Sequence, residues 1–108
     1  MRPKVIELTA DGTSDWHKVD YQQSDFKVGL QVDFLDGADG NATVECTMND
    51  VENDGADVQA YSVLDLDTIT ANTQGNIFFP VRAIRLVGAG TVSTAGRRKL
   101  TILQARNN

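Results

Sequence analysis

Residues 26–34, FKVGLQVDF, alternate apolar and polar side chains along the whole segment. Successive side chains of a β-strand point to opposite faces, so this pattern predicts a strand that is buried on one face only. After a turn-rich DGADGN at residues 36–41, the alternation resumes in ATVECTM at residues 42–48. We interpret these two segments as a hairpin or as neighbouring strands.

Other short segments extend the same β pattern. VIEL (5–8) and DWHKVD (15–20) flank a turn at Ala10-Asp11-Gly12, VQAYSVLDL (58–66) is weaker, and RKLTILQA (98–105) is the last clear strand. No apolar stripe at helical spacing is longer than about two turns. The sequence therefore predicts one all-β domain over residues 1–108, a β-sandwich of six to eight short antiparallel strands, with a jelly roll as one form.

The segment IFFPVRAIRLVG at residues 77–88 is rich in β-branched and aromatic residues, but its alternation slips. Arg82 and Arg85 lie three positions apart instead of two. One extra residue in a strand produces such a slip, so we predict a β-bulge, with Pro80 at a strand start, at an edge or in the bulge itself.

Composition excludes several classes of protein. A chain of 108 residues that is 41% hydrophobic and 23% charged is typical of a globular domain that folds without a cofactor. Its net charge of -5 should repel nucleic acid and anionic lipid. No apolar run has the length of a signal peptide or of a membrane span, so we expect neither secretion nor membrane insertion.

The residues needed for catalysis are scarce. One cysteine, Cys46, and one histidine, His17, provide neither an intramolecular disulfide nor a structural zinc site. Cys46 lies on the inward face of its predicted strand, where a thiol is unreactive. His17 should face solvent if Trp16 faces the core. Phosphate-binding glycine motifs are absent and no carboxylate pair is singled out, so we predict that the protein is not an enzyme.

Two acidic loops contain oxygen ligands that suit calcium. Asp, Asn and Gly are also the preferred residues of turns, and the spacing does not match an EF-hand loop. We therefore expect turn chemistry rather than a metal site. The residues concerned are Asp36, Asp39, Asn41, Asp50, Glu52, Asp54 and Asp57.

Cationic residues are concentrated in the last quarter of this acidic chain. They form either a patch for an acidic partner surface or an ordinary solvated strand face and turn. The residues are Arg82, Arg85, Arg97, Arg98 and Lys99.

Some predicted strands are apolar on both faces. In RKLTILQA, Leu100 and Ile102 point one way, while Thr101, Leu103 and Ala105 point the other way. Phe78 and Phe79 must likewise face opposite sides. A sandwich needs only one buried face, so the second is covered by a loop of the same domain or by another subunit. We predict that Phe79 and Ile102 fill the core, and that Phe78 and Leu103 belong to an interface.

Five segments together resemble small β-sandwich virion proteins of tailed bacteriophages. They are a strand with Trp16, FKVGL at 26–30, TVECT at 43–47, FPVRAIR at 79–85, and TILQA at 101–105 after a loop rich in Gly, Ser and Thr. Within that group the chain is most similar to capsid decoration, or cement, proteins. The acidic loop at residues 49–57 departs from the pattern.

This resemblance implies a location and partners. It implies a structural protein on the outer capsid surface, assembled in the cytoplasm of the bacterial host, with the major capsid protein as partner and homo-oligomers at local symmetry axes. From the second faces of the C-terminal strands and the nearby arginines, we predict that the contact surface comprises Phe78, Leu103, Arg82, Arg85, Arg97 and Arg98. The alternative is a small binding module of a phage tail, spike or head fibre, of which a carbohydrate-binding domain is one form.

Overall fold

The structure is a computed structural model that describes residues 3–22, 26–90 and 96–104. Within these residues, nine strands form two antiparallel sheets. Sheet 1 contains, in spatial order, β1 (Lys4–Leu8), β9 (Arg97–Gln104), β4 (Val28–Leu35) and β7 (Thr73–Ile77). The central strands of sheet 2 are β8 (Ala83–Ala89) and β5 (Asn41–Thr47), which pair with each other. On its other side β8 pairs with β2 (Gly12–Thr13) and β3 (His17–Lys18), and β5 pairs with β6 (Tyr61–Ser62).

This strand order is that of a jelly roll. If β2 and β3 are counted as one interrupted strand, the eight strands pair from the chain ends inward. β1 pairs with β9, β2 and β3 pair with β8, β4 pairs with β7, and β5 pairs with β6. A long antiparallel ribbon wrapped into two sheets has this order. The predicted all-β sandwich is therefore confirmed, with nine strands in the described residues, or eight if β2 and β3 are counted as one, against the six to eight expected.

The alternation in β4 and β5 separates core from surface as predicted. Val28, Leu30 and Val32 of β4 are buried, as are Val44 and Cys46 of β5. Apolar side chains from both sheets join in a single buried cluster. The core therefore lies between the sheets, and each sheet has a second face directed outward.

The prediction that β4 and β5 form a hairpin or neighbouring strands is wrong. β4 pairs with β7 and β9 in sheet 1, whereas β5 pairs with β6 and β8 in sheet 2. The turn at residues 36–41 carries the chain from one sheet to the other. Gly37 and Gly40 in this turn have positive φ, a conformation that glycine adopts without strain.

The predicted bulge at residues 77–88 is also wrong. The segment is not one strand: β7 ends at Ile77 and β8 begins at Ala83 in the other sheet. Residues 78–82 cross from sheet 1 to sheet 2. The buried side chains of Val81 and of the preceding Ile77 anchor this crossover. Pro80 is exposed in this crossover, where its missing N–H removes no ladder hydrogen bond. The slip in alternation marks a change of sheet.

A short 3₁₀ turn at Leu64–Leu66 connects the two sheets along the same side. Leu66 is fully buried against Gly75 of β7, where a Cβ atom would lie 2.9 Å from the Leu66 Cδ1 atom. β7 therefore needs glycine at this position. The contact places this turn, which follows β6, beside β7.

Candidate interaction surfaces

Four large apolar side chains are exposed where the chain crosses between the sheets. We call this surface the aromatic edge, and it consists of Met48, Tyr61, Phe78 and Phe79. Met48 was expected to continue the inward face of β5, but β5 ends at Thr47 and Met48 is exposed. Met48 and Tyr61 are also absent from the predicted contact residues. Side-chain alternation could not assign Tyr61 to a face, because Tyr61 lies in a strand of only two residues.

A groove of about 510 Å³ runs through the aromatic edge. Apolar side chains of Cys46, Met48, Tyr61, Phe79 and Val81 form most of it, and Thr47, Asn49, Gln59 and Ser62 supply polar groups. The Asn49 Oδ1 atom accepts a hydrogen bond from the backbone N–H of Gln59 at 2.7 Å, which holds one wall. The lining described here carries no charged side chain.

The predicted contact residues Phe78 and Leu103 lie at the same end of sheet 1. Leu103 pairs with Gly29 on β4, which pairs with Asn76 on β7, and Phe78 follows two residues later. Leu103 is 48% exposed while its neighbour Ile102 is 2% exposed, so the predicted facing of β9 is confirmed. Ala105 lies outside the described residues.

The prediction that Phe79 fills the core is wrong. Phe78 is 67% exposed and Phe79 is 52% exposed. Both residues follow the end of β7, so neither has a strand partner that holds it against the core. Ile77, the last residue of β7, fills the core instead, paired in register with Val28.

The outer face of sheet 1 is polar around Leu103. Gln31, Gln74, Asn76 and Thr101 line a shallow groove of about 250 Å³ together with Leu103, where Gly29 leaves the sheet surface without a side chain. These amides and hydroxyls donate and accept hydrogen bonds without carrying charge. The face suits a neutral, partly apolar partner surface.

Two of the predicted contact arginines lie beside sheet 2. Each of them forms an ion pair with a carboxylate and stacks on an aromatic ring. Arg85 stacks on the Trp16 ring at 4.3 Å, and its Nε atom donates to the Glu45 Oε1 atom at 2.7 Å. Arg82 lies 4.7 Å from the centre of the Tyr21 ring and 3.8 Å from the Asp50 Oδ2 atom. Both guanidinium groups therefore have intramolecular partners.

The other two arginines lie at the opposite end of β9 from Leu103, about 20 Å away along an extended strand. The guanidinium of Arg97 contacts Glu7 at 3.2 Å and Asp36 at 3.1 Å. Of the two interpretations of the cationic residues, a single arginine patch is not formed, because the four arginine side chains are divided between two sheets and two ends of the sandwich.

Arg98 is not a surface residue, which corrects its assignment to the interface. It is 2% exposed, and its Nη1 atom donates to the backbone carbonyl of Asn41 at 2.7 Å. Its Nη2 atom lies 3.2 Å from the Asp11 Oδ1 atom, and the guanidinium packs against Gly88, where no Cβ atom would fit. Arg98 is a structural cation that joins the two sheets internally.

The environments of the Cys46 thiol and the His17 imidazole both favour the neutral form of the group. Burial, with a smaller effect from Glu45, raises the pKa of the Cys46 thiol and keeps it protonated. His17 is half-buried beside the half-buried Trp16, so the two side chains are not divided between core and solvent as predicted. Burial, with a smaller effect from Lys4, lowers the pKa of His17.

The acidic loop at residues 49–57 is organised by its own hydrogen bonds. Asp50 accepts from the Asn53 side chain at 2.7 Å and from the backbone N–H of Glu52 at 3.1 Å, and both bonds lower its pKa. The Asp54 carboxylate accepts from the backbone N–H of Asp50 at 2.8 Å. Turn chemistry accounts for these carboxylates. In the described part of the chain, no three His, Cys, Asp or Glu side chains are grouped as a metal site would require.

Comparison with known proteins gives no match, since no family model, curated protein or solved structure is similar to this chain. The described residues include no helix with the length and apolar character needed to cross a membrane. The fold and these surfaces define the class of protein as a β-sandwich of jelly-roll topology with several exposed apolar side chains.

Proposed function

We propose that this protein is a structural virion protein that decorates the outer surface of a phage capsid by binding the major capsid protein. One observation carries the proposal: Phe78 and Leu103 stay exposed at one end of sheet 1 although Ile77 and Ile102 already complete the core. Apolar residues left over from a finished core are typical of a contact surface. The sequence resemblance to decoration proteins supplies the identity of the partner.

Electrostatics support a contact that is mainly apolar. The chain carries a net charge of -5, and the four arginines of the predicted surface already have acidic or carbonyl partners within the chain. A surface of this kind does not attract nucleic acid. Attachment through Leu103, Phe78 and the neighbouring amides of sheet 1 needs no free cation.

The repetition of a capsid makes a small contact sufficient. A shell presents the same contact many times, and linked subunits bind with an avidity far above that of a single contact. A free subunit is therefore expected to bind the capsid protein weakly, and an assembled shell to retain it strongly.

Cosedimentation tests the proposal directly. Shells assembled without the protein are mixed with the purified, folded chain and pelleted, and particles are imaged to locate the added density. We expect saturable binding on the outer shell. A folded chain that stays in the supernatant at all concentrations would refute the decoration function.

The aromatic edge favours a second candidate, a carbohydrate-binding module of a tail, spike or head fibre. Sugar rings stack on exposed aromatic side chains and use neighbouring amides, and the groove offers Tyr61 and Phe79 beside Gln59 and Asn49. Jelly rolls occur in both viral capsid proteins and lectins, so the fold alone does not choose.

Calorimetric titration with neutral bacterial surface oligosaccharides separates the two candidates. Tyr61→Ala should abolish sugar binding if the groove is the site. Tyr21→Ala is the matched control, because Tyr21 is exposed away from the groove, beside Arg82. No heat of binding from the wild type would exclude this candidate for the sugars tested.

A further inference from the structure

We infer that the side of the sandwich formed by β6 and β7 is a self-association surface, at which β7 of one chain pairs with β7 of a second copy across a two-fold axis. The inference goes beyond the proposed function, because it concerns contacts between copies of this chain. It is also measured without capsids, so that each proposal can fail separately.

β7 is an open edge strand. It is the last strand of sheet 1 and pairs with β4 alone among the described strands. Alternate N–H and C=O groups of an edge strand point away from the sheet, and proteins usually protect them with charged residues. The opposite edge strand, β1, carries Lys4 and Glu7, whereas β7 reads TQGNI and carries no charge.

The sequence on either side of β7 carries few charges, although Asp33 of β4 lines one groove with Asn72, Thr73 and Gln74. Residues 58–64 and 68–81 contain no charged side chain, although 23% of the whole chain is charged. The packing of Leu66 on Gly75 brings these two stretches together on one side of the sandwich. Asp65 and Asp67 are the charges between them. This side is therefore suited to a partner without a complementary charge.

A second copy of the chain fits that requirement. Two copies that each carry a net charge of -5 repel each other, and they approach at least cost through surface without charge. A two-fold contact places the same patch on both partners, so an uncharged edge meets an uncharged edge. Antiparallel pairing of β7 with itself satisfies the outward backbone groups of both strands.

The surface is also large enough. Met48, Tyr61 and Phe79 are each more than half exposed, and their side chains together present on the order of 400 Å². Aromatic residues and Met are enriched in protein interfaces, and Met48 lies in the same patch. Together with the backbone of β7, the patch reaches the roughly 600 Å² per partner of a small specific interface.

Sedimentation equilibrium of the purified wild type, from micromolar to millimolar concentration, tests the inference. We expect a reversible dimer of about twice the 11.7 kDa monomer mass. The dimer should tighten as salt rises, because salt screens the repulsion between two acidic copies. A wild type that stays monomeric at millimolar concentration would overturn the inference.

A matched pair of variants locates the contact. Gln74 of β7 and Gln31 of β4 are directly paired, are both exposed and differ in that Gln74 is on the edge strand. Gln74→Lys should weaken dimerisation at least about tenfold, since the charge enters twice per dimer. Gln31→Lys should change it less than about twofold. Equal effects of both variants would move the contact to the outer face and refute edge pairing.

A second pair tests the aromatic part of the surface. Phe79→Glu should also weaken the dimer at least about tenfold, because it places two carboxylates in an apolar contact. Val5→Glu, at a similarly exposed position on β1, should leave the dimer unchanged. If Gln74→Lys and Phe79→Glu abolish shell binding while the wild type alone is monomeric, this edge binds the capsid protein and not a second copy.

Discussion

Replacing Leu103 with Asp tests the capsid contact because the structure separates its effects on folding and on binding. Complete burial of a leucine side chain stabilises a fold by about 1.5 to 3 kcal/mol. Leu103 is already 48% exposed, so its contribution to folding is about half of that. With the lower β-propensity of Asp added to this loss of about 0.8 to 1.5 kcal/mol, Leu103→Asp should lower the free energy of unfolding by about 1 to 2 kcal/mol, which a domain with about 5 to 15 kcal/mol of stability tolerates.

The effect on binding should be larger. The contact loses the burial of the exposed half of Leu103, about 1 kcal/mol, and must also bury an unpaired carboxylate, which costs at least 1 to 3 kcal/mol more. A total near 2 kcal/mol or above weakens each contact about 30-fold or more. If linked copies bind several sites of a shell at once, the loss is incurred at every contact.

The assay combines a thermal melt with cosedimentation on undecorated shells. Leu103→Asp should melt as a folded domain and fail to pellet with shells. Val87→Asp, on β8 in the other sheet, controls for a charge on an outward strand position, and Leu100→Asp, in the core, should not fold. Unfolding of Leu103→Asp would show that Leu103 supports the core, and normal decoration by a folded variant would refute the reasoning about its contact.

Four further outcomes are expected. Leu30→Ala removes a buried side chain and should cost about 2 to 5 kcal/mol in urea unfolding; a loss under 1 kcal/mol would contradict its core position. Arg98→Met leaves the Asn41 carbonyl without its donor and should cost about 2 to 4 kcal/mol by the same measurement. Because the pKa of His17 is lowered in the folded chain, the unfolded chain binds protons more readily, and stability should fall as pH drops below about 6.5. The melting temperature should therefore decrease with falling pH in this range, and His17→Gln should reduce the decrease. Millimolar calcium should leave the melting temperature almost unchanged, since the Asp50 and Asp54 carboxylates already accept hydrogen bonds within residues 49–57. A saturable rise of several degrees would show a metal site.

The contact residues show how far sequence reasoning extends into the candidate surfaces. The facing of Leu103 followed from alternation within β9, because neighbours in a regular strand point to opposite sides. The same reasoning failed for Phe79, since the strand ends at Ile77 and alternation has no meaning beyond it. Arg98 illustrates the other limit. A long cationic side chain looks like a surface residue, and its burial depends on acceptors from other segments, which include the Asn41 carbonyl and the Asp11 carboxylate.

The amino-acid sequence by itself determined the class of fold and the inward faces of β4, β5 and β9, because side-chain alternation is a local property that hydrophobic burial selects. Tertiary structure alone decided which sheet each strand joins. β4 and β5 look like a hairpin, yet they lie in different sheets, because a jelly roll pairs strands that are far apart in the chain. The aromatic edge and the unprotected strand β7 follow from that pairing, since a strand becomes an edge only through the absence of a neighbour in space.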